Sequence, residues 1–202
     1  LDGDIIKECK DKLRRHILST NTVALRGVHN YENICAAIAA TSSLVKVEDA
    51  VKAVQEFKGV QHRLEFIREL DGVKWYNDSI GTSPTRTIAG LHSFDERIVL
   101  IAGGYDKHLD YTPIAKPILE KVDSLILIGD TAPKIFDAVK EEAEKQGKDI
   151  KIYMCDEFKN TVLVAKKVAK PGQIVLFSPA SASFDLFRNF EERGNKFKEL
   201  VN

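Results

Sequence analysis

From about residue 61 onward, short apolar segments alternate with longer amphipathic segments. The apolar segments have the length of buried strands, and the amphipathic segments repeat their apolar residues at the three-and-four spacing of a helix face. This alternation is typical of an α/β fold in which helices cover both faces of a mainly parallel, Rossmann-like sheet. The predicted strands are residues 64–69, 74–76, 98–102, 124–128, 151–155 and 174–177.

Three of the predicted helices begin with a hydroxyl residue followed closely by proline. Serine and threonine are favoured just before a helix, and proline is favoured at its first position. These starts are Ser83-Pro84, Thr112-Pro113 and Thr131-Ala132-Pro133. The last predicted helix covers residues 184–201, so the α/β pattern continues to the end of the chain.

The first 60 residues follow a different pattern. Residues 2–25 are charged and weakly patterned, apart from a short apolar run at 23–25 that is a candidate strand. Helices are predicted at 30–44 and 47–57, and Gly59 follows the second where a left-handed cap would lie. We therefore predict a mainly helical segment at residues 1–60 and an α/β domain at residues 61–202.

The composition excludes several classes of protein. The chain has 202 residues, of which 44% are hydrophobic, and its 30 Lys+Arg balance 30 Asp+Glu. Because basic and acidic residues are interspersed, no positively charged face for nucleic acid is predicted. The longest apolar runs fall far short of the roughly 20 residues needed to span a bilayer, so no membrane insertion is expected.

The cysteines and the first residue indicate the setting of the chain. Cys9, Cys35 and Cys155 are odd in number and far apart, which favours neither a disulfide framework nor a zinc site. A reducing cytoplasm is therefore expected. The chain begins with Leu1 and has no leader pattern, so we expect it to start inside a longer protein.

Small and polar residues follow three of the predicted strands, at residues 77–84, 103–107 and 178–183. Ligands of open α/β sheets bind beyond the carboxyl ends of the strands, where backbone amides and hydroxyls can bind an anion. Lys107 adds a full positive charge after Gly103-Gly104. Each feature also has a simpler interpretation, since Ser83 could only cap a helix, the glycine pair could only form a turn, and Lys107 could be solvated. The residues alone predict an anion-binding α/β domain with no phosphate loop and no metal pattern of its own.

Six segments, in this order and spacing, resemble the Mur ligase family. They are Gly-Val-His-Asn-Tyr-Glu-Asn at 27–33, Gln-His-Arg-Leu-Glu at 61–65, Tyr-Asn-Asp-Ser at 76–79, Gly-Gly-Tyr-Asp-Lys at 103–107, Ser-Pro-Ala-Ser-Ala-Ser-Phe-Asp at 178–185 and Asn-Phe-Glu-Glu-Arg-Gly at 189–194. The resemblance covers nearly the whole chain from Val23 onward. It implies that residues 1–60 are the end of a central ATP-binding domain and that residues 61–202 are a complete C-terminal domain.

The resemblance also implies an activity for the whole protein. That activity is ATP-dependent addition of D-glutamate to UDP-N-acetylmuramoyl-L-alanine, through an acyl phosphate, during bacterial peptidoglycan synthesis. This piece would bind D-glutamate and part of ATP as a cytoplasmic monomer, with no catalytic residue and no activity alone, and the Mg ligands would lie elsewhere. The alternatives are another Mur-type or folylpolyglutamate-type ligase, or a non-catalytic module that binds an amino acid.

The site residues that the resemblance implies fall into two groups. Those for D-glutamate are Lys107, Ser183, the backbone near Phe190, and Thr82. Those for ATP are Asn30 and Asn33 near the adenine, and Arg63 and Asp78 near the ribose and phosphates. The chain departs from its relatives at Ile80, where many have lysine and for which Arg86 could substitute, and at Ser181, where cysteine is common and the change is expected to be neutral.

Overall fold

A computed structural model describes residues 1, 5–10 and 13–202 of the chain. These residues divide into two compact units, Leu1–Gly59 and Val60–Asn202. None of the helices in the described ranges is long and apolar enough to cross a membrane.

The first unit combines an antiparallel hairpin with two helices. Its elements are β1 (Ile5–Lys10), β2 (Leu13–Ser19), a short 3-10 helix (Thr20–Thr22), α1 (Val28–Thr41) and α2 (Val47–Glu56). Ile6, Leu18 and Ile34 are buried together and form a small core between the hairpin and α1.

Two predictions for this unit were wrong. The hairpin was not predicted, because its strands carry few apolar residues and lack regular alternation, while residues 23–25 form no strand. Gly59 does not cap α2, which ends at Glu56 and is followed by Phe57 in an extended conformation. Residues 1–60 are therefore not purely helical.

The second unit contains a six-stranded sheet with the order β3-β4-β8-β5-β6-β7. Only β3 is antiparallel to its neighbour, so the prediction of a mainly parallel sheet is confirmed. The strands are β3 (Glu65–Leu70), β4 (Val73–Asn77), β5 (Ile98–Ala102), β6 (Val122–Ile128), β7 (Lys151–Cys155) and β8 (Ile174–Phe177).

Helices cover both faces of this sheet, as predicted. The helices are α3 (Pro84–Leu91), α4 (Thr112–Lys121), α5 (Ala132–Gln146), α6 (Phe158–Val168) and α7 (Phe190–Val201). Side chains of α3, α4 and α5 join one core, and those of α6 and α7 join the other. Successive residues of the central strand β5 alternate between the two, since Leu100 packs in the first core and Ile101 in the second.

The last helix begins six residues later than predicted, at Phe190. The Asn189 side chain accepts a hydrogen bond from the backbone N–H of Glu192 at 2.8 Å and caps the helix there. Residues 178–189 are consequently a long connection that lies against the end of the sheet rather than part of a helix. This connection supplies much of the candidate site.

Candidate functional site

Three polar loops meet at the carboxyl edge of the sheet because β4, β8 and β5 are neighbours in it. The loop after β5 is joined to the loop after β8 by the N–H of Gly103, which donates to the Pro179 carbonyl at 2.8 Å, and by the N–H of Tyr105, which donates to Ala182 at 3.0 Å. The N–H of Asp78, just after β4, donates to the Phe177 carbonyl at 2.7 Å. The structure thus brings together the three segments that the sequence pattern singled out.

Arg193 of α7 binds two of these loops and touches the third. Its side chain is buried, and it donates to the Ser79 carbonyl at 2.9 Å, the Ser181 carbonyl at 3.1 Å and the Ala182 carbonyl at 2.7 Å. A Cβ on Gly104 would lie 3.0 Å from Nη1 of Arg193. Burial lowers the pKa of Arg193 to about 10, which still leaves the guanidinium charged at neutral pH.

In the sequence, Arg193 was identified only as part of the motif at 189–194, and no role was predicted for it. A charged residue in an amphipathic helix ordinarily faces water, and the burial of Arg193 depends in part on Ser79, which lies 114 positions away in the chain. The one available signal was Gly194 beside it, since a glycine inside a helix indicates a close approach.

Lys107 and Ser183 belong to the two loops that the antiparallel bridge between Tyr105 and Ala182 joins, with Lys107 two residues after Tyr105 and Ser183 directly after Ala182. Lys107 is exposed, and its ammonium makes no hydrogen bond or ion pair with any residue in the described ranges. Ser183 is almost fully buried, yet its hydroxyl is bonded to none of the described residues. A free cation and a free hydroxyl donor are both groups that can bind a carboxylate.

Phe190 and Thr82 belong to two further segments at this edge of the sheet, the start of α7 and the loop after β4. The carbonyl of Phe190 accepts the Ser79 hydroxyl at 2.8 Å, which holds the start of α7 against the loop after β4. As the first residue of α7, Phe190 has a backbone N–H that no intrahelical carbonyl satisfies. Thr82 is half-buried in the same loop after β4.

The side chain of His62 packs against the ring of Phe190. The imidazole is buried, contacts the Phe190 ring edge-on with centroids 6.0 Å apart, and has its Nδ1 2.9 Å from the amide nitrogen of Asn77. Burial, and then the charge of Lys198, lower its pKa, so the ring is neutral at pH 7. His62 is therefore part of the packing around Phe190 and Asn77.

Asp78 is buried, and both of its carboxylate oxygens have partners. Oδ1 accepts the N–H of Leu64 at 3.2 Å, and Oδ2 accepts the hydroxyl of Ser178 at 2.7 Å. A Cβ on Gly81 would lie 2.7 Å from Oδ2, so the loop closes tightly over the carboxylate. Burial raises the pKa of Asp78 to about 6, although the bonds from Ser178 and Leu64 act in the opposite direction. This carboxylate anchors backbone and side chains of the unit and is not directed at solvent.

Two arginines lie near Asp78 with their guanidinium groups uncommitted. Arg63 is half-buried beside the anchored residue Leu64, and Arg86 is exposed in the first turn of α3. Their charges reach the Asp78 carboxylate and lower its pKa. Within the described part of the chain neither guanidinium has a hydrogen-bonded partner, which leaves both available to an anion.

The residues predicted near the adenine belong to the first unit. Asn30 is buried in the first turn of α1, where its side-chain nitrogen donates to the Arg26 carbonyl at 2.7 Å. Asn33, one turn further along α1, is exposed. Over the residues that the structure describes, no group of three or more His, Cys, Asp or Glu side chains is placed to hold a metal ion.

Comparison with known sequences identifies relatives of the whole chain. Residues 62–181 match the family described as "Mur ligase, glutamate ligase domain". The chain is 52% identical over 204 residues to the UDP-N-acetylmuramoylalanine–D-glutamate ligase of Acetivibrio thermocellus, and this match covers 100% of the chain and 44% of the relative. The enzyme of the same name from Clostridium novyi is 49% identical over 190 residues, which are 94% of the chain and 42% of the relative. The chain therefore spans less than half the length of these curated relatives.

Solved structures share the fold at much lower sequence identity. The UDP-N-acetylmuramate-alanine ligase MurC of Thermotoga maritima superposes with a TM-score of 0.64 at 21% identity, over 93% of this chain and 39% of that one. MurF of Acinetobacter baumannii gives a TM-score of 0.63 at 18% identity, over 97% of this chain and 45% of that one. These likenesses agree with the mainly parallel α/β architecture described above. Since the family match extends over more than half of its residues, the chain belongs to the Mur ligase family.

Proposed function

We propose that this chain is the amino-acid-binding part of an ATP-dependent ligase that joins D-glutamate to UDP-N-acetylmuramoyl-L-alanine in bacterial peptidoglycan synthesis. Curated relatives of that name are 49% and 52% identical to it. In this proposal residues 1–60 end a central ATP-binding domain, and residues 61–202 form the C-terminal domain. The complete protein acts in the cytoplasm as a monomer, and this chain alone is inactive.

The observation that carries the proposal is the set of free anion-binding groups at one edge of the sheet. Lys107 has a charge and Ser183 a hydroxyl without a partner among the described residues, and α7 begins at the same edge of the sheet with a free N–H at Phe190. D-Glutamate carries two carboxylates, and these groups offer enough donors for both. Thr82, which is half-buried in the loop after β4, is assigned to the same ligand.

Holding both carboxylates leaves the amine of D-glutamate free to react. ATP, when bound, supplies the phosphoryl group that activates the alanyl carboxylate of the other substrate. The amine then forms the amide bond with release of phosphate. What this chain contributes is orientation of the nucleophile and electrostatic balance of its carboxylates, since positioning accounts for much of the barrier reduction in such transfers.

The ATP contacts are assigned to both units. Arg63 has an uncommitted guanidinium, whose planar fork can bind two phosphate oxygens at once. Asp78 acts through its bond to Leu64, which fixes the backbone next to Arg63. Asn30 and Asn33 are assigned to the adenine, and the Mg ligands to parts of the complete protein outside this chain.

Substrate discrimination by the complete ligase tests the proposal. Phosphate release is measured with ATP and UDP-N-acetylmuramoyl-L-alanine while D-glutamate, L-glutamate, L-alanine or a diamino acid is supplied. We expect sustained turnover with D-glutamate alone. Preferential turnover with another amino acid, or with a folate substrate and glutamate, would assign the chain to a different branch of the family. A protein that binds the amino acid without any turnover would favour a non-catalytic module.

A further inference from the structure

Three buried hydroxyl groups form a continuous chain beside the candidate site. The hydroxyl oxygen of Ser181 lies 2.8 Å from that of Tyr111 and 2.8 Å from that of Thr131. Thr131 also accepts the backbone N–H of Gly104 at 3.1 Å. Ser181 and Thr131 are fully buried and Tyr111 is nearly so, which removes water as an alternative partner.

The three residues come from three separate segments. Ser181 belongs to the connection after β8, Tyr111 immediately precedes α4, and Thr131 immediately precedes α5. Ser181 is the central member, since it alone bonds to both of the other hydroxyls. Removing its hydroxyl would therefore break both of the hydrogen bonds that connect the three hydroxyl groups.

The segment that carries Lys107 runs between the two ends of this chain of hydroxyl groups, Thr131 and Tyr111. It starts at Gly104, which Thr131 binds through both the N–H and the carbonyl, and it ends at Tyr111. Residues 106–110 between these points form no helix or strand. Asp106 forms an ion pair with the exposed Lys134, and such pairs contribute little stability, whereas Leu109 packs against the core that α3, α4 and α5 share.

We infer that Ser181 is a positioning residue, whose hydroxyl fixes both ends of the 104–111 segment and so positions Lys107 at the candidate site. The inference rests on the proposed function only for the ligand that Lys107 binds. The backbone of Ser181 contributes as well, since its carbonyl accepts a hydrogen bond from Arg193 at 3.1 Å. The side-chain hydroxyl is thus one of two links between this residue and the loops around it.

This geometry revises the expectation for position 181. A change between serine and cysteine at this position was expected to be neutral. A thiol is a weaker donor and acceptor than a hydroxyl, so cysteine at the centre of a buried hydroxyl chain weakens two hydrogen bonds. The three hydrogen-bonded hydroxyl groups would then hold the Lys107 segment less firmly.

The test compares Ser181→Ala and Ser181→Cys with Thr161→Val as a matched control. Thr161 is equally buried, but its hydroxyl bonds to the Phe158 carbonyl within α6, away from the site. Hydrogen exchange of the amides of residues 105–111 is measured in this chain, and KM for D-glutamate, KM for ATP and kcat are measured in the complete ligase. Tyr111→Phe removes only one of the two hydrogen bonds of Ser181 and provides a second, milder variant.

We expect Ser181→Ala to speed exchange in the 105–111 segment about tenfold and to raise KM for D-glutamate by a similar factor, which lies within the net contribution of the two hydrogen bonds that the substitution removes. KM for ATP should change by less than about twofold. Ser181→Cys should fall between Ser181→Ala and the native protein. In a Lys107→Ala background, Ser181→Ala should raise KM for D-glutamate no further, because the effect passes through Lys107.

Other results separate the inference from the proposed function. If folded Ser181→Ala and Tyr111→Phe variants lose thermal stability but keep native exchange and native KM for D-glutamate, Ser181 is only structural and the inference is wrong. If Ser181→Ala speeds exchange while Lys107→Ala leaves KM for D-glutamate unchanged, the positioning of the segment stands and the ligand assigned to Lys107 is wrong.

Discussion

Arg193 donates two hydrogen bonds to Ser79, from Nε to the hydroxyl oxygen at 3.1 Å and from Nη2 to the carbonyl oxygen at 2.9 Å. The Ser79 hydroxyl in turn donates to the Phe190 carbonyl at 2.8 Å. Because the same guanidinium holds Ala182, the loops after β4 and β8 and the first turn of α7 are linked through a single side chain. The loops of the candidate site are therefore assembled around the buried guanidinium of Arg193.

Replacing Arg193 with methionine should therefore destabilise the second unit strongly. The change leaves several buried carbonyl groups without donors, and we expect the free energy of unfolding to fall by about 3 kcal/mol or more. Urea unfolding of this chain provides the measurement. Arg188→Met, at an exposed position just before α7, is the control and should change it by less than about 0.5 kcal/mol. Equal effects of the two substitutions would mean that Arg193 does not link the loops.

Two helical glycines should respond to alanine in opposite ways. A Cβ on Gly194 would lie 2.2 Å from Nδ1 of His62 and 3.0 Å from Cβ of Ser79, whereas a Cβ on Gly90 would find its nearest neighbour at 3.6 Å. We expect Gly194→Ala to cost about 2 kcal/mol or more through overpacking, despite the better helix propensity of alanine. Gly90→Ala should be neutral or stabilising by up to about 1 kcal/mol. Thermal unfolding of both variants checks this, and a stable Gly194→Ala protein would contradict the close contact with His62.

Asp78 should make the stability of the second unit depend on pH. Its pKa is raised from 3.8 to about 6 in the folded state, mainly by burial, so the folded protein holds a proton that the unfolded chain has already released. The stabilisation from this protonation is complete below pH 4 and is lost as the pH rises from about 4 to about 6. The full loss is about 3 kcal/mol, from about two pKa units.

Asp78→Asn isolates this effect, since asparagine keeps a carbonyl oxygen for the Leu64 N–H but does not titrate. The difference in unfolding free energy between the native chain and the variant should therefore favour the variant progressively between pH 4 and pH 6 and stay constant above it. The comparison also removes the opposing contribution of His62, whose pKa is lowered and which is present in both proteins. A difference that is flat across this range would contradict the raised pKa of Asp78.

The central parallel strands could be predicted from the sequence because both of their faces are buried. The strand at 98–102 consists entirely of apolar residues, and every one of them is buried against one core or the other. An entirely apolar run of this length predicts a buried strand by itself, and its predicted bounds match the structure. The hairpin at the start of the chain was missed for the opposite reason, since its core is small and its strands are largely charged.

The positions of polar side chains could not be predicted in the same way. Ser83 and Thr131 do precede helices, but neither side chain caps its helix, because Ser83 pairs with the Thr85 hydroxyl at 3.1 Å and Thr131 pairs with Ser181. Local sequence indicates where a helix begins, whereas distant loops decide what a hydroxyl binds. The same applies to Arg193, whose partners lie in two other loops.

The measurement that tests the central claim most directly is KM for D-glutamate in the complete ligase that carries Lys107→Ala. Lys116→Ala, an exposed lysine in α4 on the same unit, is the matched control. If Lys107 binds a carboxylate of D-glutamate, its loss should raise KM for D-glutamate at least about tenfold, while KM for ATP and the unfolding temperature stay near their native values. The control should leave all three unchanged. An unchanged KM for D-glutamate in Lys107→Ala would contradict the assignment of this sheet edge as the amino-acid site.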